Sequence, residues 1–169
     1  TNYILFTYEP AVVSKNLGTA KTDMGLLSYA PVNETFFALR YNGQGHDFDV
    51  YGTIKMLEEY EKQGLPVRIF GFPSFLYFTV KQMKDTGHRP LKLNVKSMTM
   101  LGGGWKGYAD KQISKIELYN LVEQYFTQTY ISAKDVIDIK NKEELYIVGK
   151  GIYKGMYRDY SSWTNTTDT

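Results

Sequence analysis

The sequence predicts an α/β fold, a parallel sheet flanked by helices, on three observations. From Thr35 onward, apolar strand-like runs alternate with helical periodicity three times. Each run ends at a glycine-containing turn, and each helix opens on a capping residue or a proline. Serial strand–helix cycles imply right-handed crossovers that bury a parallel sheet. With 169 residues the chain can fill one core and is too short for two ordinary domains.

In chain order, Tyr3 to Tyr8 has the aromatic and β-branched character of a short strand, and Pro10 stops it. Ser14 to Pro31 reads as loop, with a helical turn around Met24 to Tyr29. Thr35 to Tyr41 is a strand closed by Asn42-Gly43-Gln44-Gly45. Asp49 caps the first helix, in which Val50, Ile54, Leu57 and Tyr60 or Glu61 recur at helical spacing, and Gly64 is its left-handed stop. Val67 to Gly71 is a strand, and Pro73-Ser74 opens a helix to Gly87 with Ser74 as a cap. Lys96 to Leu101 is the next strand, and Ser114 with Glu117 forms a capping box for a helix to Phe126. Beyond Phe126 a short helix at Ser132 to Asp135, a strand at Glu144 to Val148 and a frayed polar tail are expected.

Composition excludes several function classes. Twenty Lys plus Arg against 18 Asp plus Glu provide no basic field for nucleic acid. The absence of cysteine removes disulfides, thiolate metal sites and cysteine nucleophiles. No apolar run approaches the roughly 20 residues of a membrane helix. A soluble, cytoplasmic protein without a membrane span is therefore expected. His46 and His88 lack companions at metal spacing and read as surface histidines, so no metal site is expected. Ser74 and Ser114 have neither an elbow motif nor an evident base, so no residue receives a catalytic role.

Two strand ends can carry chemistry. In open parallel sheets, ligands bind outside the carboxyl ends of strands. At one end, Gly102, Gly103 and Gly104 allow close approach to the backbone, with Trp105 and Lys106 beside them. At the other, Phe72, Pro73 and Ser74 follow Gly71, where aromatic residues can wall a pocket. Pattern alone also fits a tight strand-to-helix connection at the first and simple core packing at the second. Neither is a Walker loop or a dinucleotide fingerprint.

Asn2-Tyr3-Ile4-Leu5-Phe6-Thr7-Tyr8-Glu9-Pro10, Asn16-Leu17-Gly18-Thr19-Ala20, Leu65 to Phe75 and above all Leu101-Gly102-Gly103-Gly104-Trp105-Lys106-Gly107-Tyr108 resemble the acyl-protein synthetase (LuxE-type) family of acyl-adenylate-forming enzymes. The resemblance spans residues 2–126. It implies a ligase that activates a fatty acid or other carboxylic acid with ATP and magnesium, then passes the acyl group to a protein cysteine. In luminescence systems a reductase partner follows. It further implies that Gly102, Gly103, Gly104, Trp105 and Lys106, flanked by Phe72, Pro73 and Ser74, line the nucleotide and acyl pocket. The chain contains no S-[ST]-G-T-[ST]-G segment and no acceptor cysteine. It therefore reads as the middle portion of a larger enzyme, inactive alone, with residues 1–126 a partial synthetase-like domain and 127–169 an unmatched, partly flexible extension. The alternative is a non-catalytic α/β module that binds a nucleotide, a lipid or a partner subunit.

Overall fold

The computed structural model describes residues 1–10, 27, 30–102 and 104–126, and the backbone of 147–148. In chain order the elements are β1 (Asn2–Tyr8), β2 (Glu34–Tyr41), β3 (His46–Phe48), α1 (Val50–Gln63), β4 (Val67–Gly71), α2 (Pro73–Asp85), β5 (Met98–Leu101), α3 (Lys115–Tyr125) and β6 (Ile147–Val148). One turn of 3-10 helix (Ala109–Lys111) precedes α3. The loop and helical turn expected within 14–31, apart from residues 27, 30 and 31, lie outside the described residues. So do the short helix at 132–135 and the tail.

The sheet runs β3-β2-β1-β4-β5-β6. β2, β1, β4 and β5 are mutually parallel, as expected, and an antiparallel strand is added at each edge. At the β2 edge the reason is chain length, because the turn at residues 42–45 is far shorter than the dozen or more residues a parallel crossover needs. Asn42 Oδ1 accepts from the amides of Gln44 and Gly45 and so holds that turn. The three-residue β3 is the element the periodicity does not reveal.

Alternation along β1 places Ile4 and Phe6 on one face and Tyr3, Leu5 and Thr7 on the other. All five are fully buried, as strands covered on both faces require. The helices pack in a row, α1 beside α2 and α2 beside α3. Asn2 Nδ2 donates to Gln63 Oε1 at 2.7 Å, and Phe48 packs between Phe6 and Phe75, tying α1 and α2 to the Ile4–Phe6 face. On the opposite face Tyr3 neighbours Arg68 across the ladder; burial pushes the phenol above its ordinary range and the guanidinium pulls partly back.

Local signals delimit the helices. Asp49 accepts from the Gly52 amide at 2.8 Å, and Gly64 ends α1 at φ 68°. Leu57 is buried as expected, Tyr60 and not Glu61 is buried at the next position, and Thr53 joins them because its hydroxyl is satisfied by the Asp49 carbonyl. Ser114 Oγ accepts from the Glu117 amide at 3.1 Å, forming the hydroxyl half of the capping box. Ser74 corrects its expectation. Pro73 occupies the first helical position, so the cap falls on Phe72 and Ser74 lies inside the first turn, fully buried.

The connection from α2 to β5 is stapled to the neighbouring helices. Glu61 on α1 accepts from both terminal guanidinium nitrogens of Arg89 and from the Lys92 amide, while the Leu91 amide donates to the Tyr125 carbonyl. His88 is not a free surface histidine, since its Nε2 lies 3.0 Å from Glu58 Oε1. The Arg89 hydrogen bond holds the Glu61 carboxyl below its usual range. A depressed carboxyl pKa contributes stability above the unfolded-state value, and that contribution is lost as pH falls through the folded value. Glu61→Gln is therefore expected to lower stability at neutral pH, with the difference from the parent vanishing on acidification. Urea titrations across pH check this, and a pH-independent difference would contradict it.

Candidate functional site

The carboxyl ends of the three adjacent strands β1, β4 and β5 are laced together. Gly71 closes β4 at φ 121°, and the Phe72 amide donates to the Phe6 carbonyl at 3.0 Å. The Gly102 amide donates to the Gly71 carbonyl at 3.0 Å, so the chain leaving β5 is pinned to the end of β4. A Cβ on Gly71 would stand 2.4 Å from the Phe6 carbonyl oxygen, so this close approach demands glycine.

After β5 the chain turns tightly, with Gly104, Lys106 and Gly107 at φ 70°, 42° and 85°. Lys106 is the only non-glycine among the described residues in the left-handed region, a strain worth about 1–2 kcal/mol that the flanking turn must hold. The turn drives Trp105 inward to 8% exposure against Tyr77, with ring centroids 5.6 Å apart. It also carries Lys106 outward, with Nζ 4.8 Å from the Phe72 ring.

The structure thus joins the two candidate strand ends. Phe72 meets Lys106, while Pro73, Gly102 and Trp105 share a cavity of about 30 Å³ with Ile113 and Leu118. That volume holds about one water-sized group, so any larger ligand must lie over its rim. Ser74 Oγ is buried without a hydrogen-bond partner. Gly104 is half-buried, and Gly103 lies outside the described residues. A wider cleft of about 430 Å³ lies between α2 and α3, and of its two lysines, Lys81 and Lys84, Lys81 is paired with Asp85.

Two further residues stand beside the pair, and one of them, His46, was expected as a surface histidine but is half-buried and held. Tyr8, at the end of β1, packs edge-on to Phe72 at 5.8 Å and to His46 at 5.1 Å. His46 is half-buried, with Nε2 2.7 Å from the Glu9 carbonyl oxygen. From β1 the chain goes to β2 on one side, then returns past β1 to β4 on the other, so the connections diverge between β1 and β4. Ligands of open α/β sheets bind at such a reversal. Only the strand order reveals it.

Among the described residues no group of three or more His, Asp or Glu could hold a metal, and no helix is long and apolar enough to cross a membrane. No curated protein and no solved structure matches the chain. The family model described as "Acyl-protein synthetase, LuxE" matches residues 11–158. The match continues past Phe126, where the sequence motifs stop, and takes in 127–158. Covering most of the chain, it establishes that this protein belongs to the LuxE acyl-protein synthetase family.

Proposed function

We propose that this chain carries the nucleotide and acyl pocket of an ATP-dependent acyl-protein synthetase. The observation that carries the reading is the meeting of Phe72 and Pro73 with Gly102, Trp105 and Lys106 over parallel strand ends, within the family-matched stretch. Gly102, Gly103 and Gly104 give the ligand access to backbone, Trp105 and Phe72 wall it, Pro73 shapes the rim and Lys106 contacts its anionic group. The donor set suits a phosphate. Lys106 is held by a ring and makes no ion pair among the described residues, and α2 opens toward the same place with the positive end of its dipole.

In the reaction this family implies, a carboxylate oxygen attacks the α-phosphorus of ATP and pyrophosphate leaves. A thiol then loses its proton, attacks the acyl carbonyl and displaces AMP. The residues of this chain bind and orient; the thiol must come from elsewhere, because the 169 residues contain no cysteine. A second reading is a module that binds without turnover. Fatty-acid-dependent exchange of pyrophosphate into ATP by the purified chain separates the two.

Lys106→Ala tests the pocket, since it keeps a Cβ at the strained position and removes the rest of the side chain with its cation. A non-hydrolysable acyl-sulfamate analogue of the acyl-adenylate is expected to bind the parent chain. The variant should lose roughly 1.5–3 kcal/mol, about tenfold or more in affinity, as for a charged hydrogen bond. Equal calorimetric titrations of the two folded proteins would refute the assignment of Lys106.

A further inference from the structure

We propose that the ligand crevice has a second bank, at the carboxyl end of β1, and that His46 is a ligand-binding residue there. The inference rests on the nucleotide-pocket reading and extends it to residues with no assigned role. The ring of His46 is held from several sides. Tyr8 lies against it at 5.1 Å and Tyr41 at 5.5 Å, and Nε2 stands 2.7 Å from the Glu9 carbonyl oxygen. That carbonyl is itself fixed, since the Glu9 amide donates to the Leu39 carbonyl and the Glu9 carboxylate accepts from the Tyr41 amide and lies 3.4 Å from Arg40 Nε.

A carbonyl oxygen only accepts, so Nε2 must carry the proton of the bond. In the neutral ring Nδ1 then holds the lone pair, and no described residue occupies it. A run of close contacts leads from His46 through Tyr8 and Phe72 to Lys106, with separations of 5.1, 5.8 and 4.8 Å, across the ends of β1 and β4 where the connections diverge. The crevice of this proposal thus has the Lys106 cation on one bank, the half-buried Tyr8 ring between, and the His46 acceptor nitrogen on the other. A ligand matching it has an anionic group, a flat or apolar body, and a hydrogen-bond donor at the far end. An adenylate ester satisfies all three, with its phosphate toward Lys106 and a ribose hydroxyl or base amine toward Nδ1.

Two substitutions separate a ligand contact from a structural strut. The amide nitrogen of Gln overlays Nε2, so His46→Gln keeps the donor to Glu9 and removes the acceptor. His46→Asn places its amide near Nδ1 and removes the strut. With the same acyl-sulfamate analogue, His46→Gln is expected to melt like the parent and to bind about tenfold more weakly, while His46→Asn melts lower. Binding by His46→Gln equal to the parent would overturn the role of His46 and leave the Lys106 pocket standing. Failure of the parent to bind the analogue would overturn both. A loss of affinity in His46→Asn alone would make His46 a strut, against the proposal.

Discussion

Gly71→Ala is expected to cost roughly 3 kcal/mol or more of folding stability, the largest effect of any single methyl group at the strand ends. Two penalties combine. At φ 121° an L side chain is strained by about 1–3 kcal/mol. The added Cβ would also stand 2.4 Å from the Phe6 carbonyl oxygen and 2.6 Å from its carbon, and backbone cannot swing aside as a flexible side chain can. Relief requires β1 and β4 to part where the Phe72 amide bonds Phe6, and overpacking of this kind costs about 1–3 kcal/mol more. Gly104→Ala is the control. At φ 70° with nothing within 4 Å of its Cβ, it should cost only the conformational term, about 1–2 kcal/mol. Denaturant midpoints for the pair check the argument. If the two variants were equally stable, the close approach of Gly71 to Phe6 would not matter.

Trp105→Ala is expected to lower stability by about 3 kcal/mol, the cost of deleting a large buried aromatic side chain. Trp105 is 8% exposed, packs on Tyr77 and closes the cavity over Pro73 and Leu118, so its removal opens a hole in the wall between α2 and α3. A loss of ligand binding in this variant would therefore mix unfolding with the lost contact. Trp105→Phe, which keeps a ring against Tyr77, should recover most of the stability. Chemical denaturation of both decides it: a Trp105→Ala chain as stable as the parent would show that the indole is not part of the core.

The sequence determined those features that depend on neighbours a few residues apart. Asp49 and Gly64 bound α1 because a cap is a hydrogen bond spanning three residues and a left-handed stop is one residue's conformation. Val67 to Gly71 is a strand end to end, and Ser114 caps α3, for the same local reasons. The α/β class followed from counting strand–helix cycles, and the family from contiguous motifs. Three strand–helix cycles do not say, however, that β1 lies between β2 and β4. That order is settled by crossovers and packing between residues far apart in sequence, and it locates the divergence of connections between β1 and β4. Only the tertiary structure therefore brings Tyr8 and His46 to Phe72, and brings Lys106 over that ring. It also buries Ser74, which its spacing marked as a cap, because Pro73 takes the first helical position and packing against the sheet closes over the hydroxyl. Glu61 and Arg89 are 28 residues apart, and no period links them. Their pairing exists because α1 and the α2–β5 connection meet on the folded surface, a contact that local propensity cannot encode.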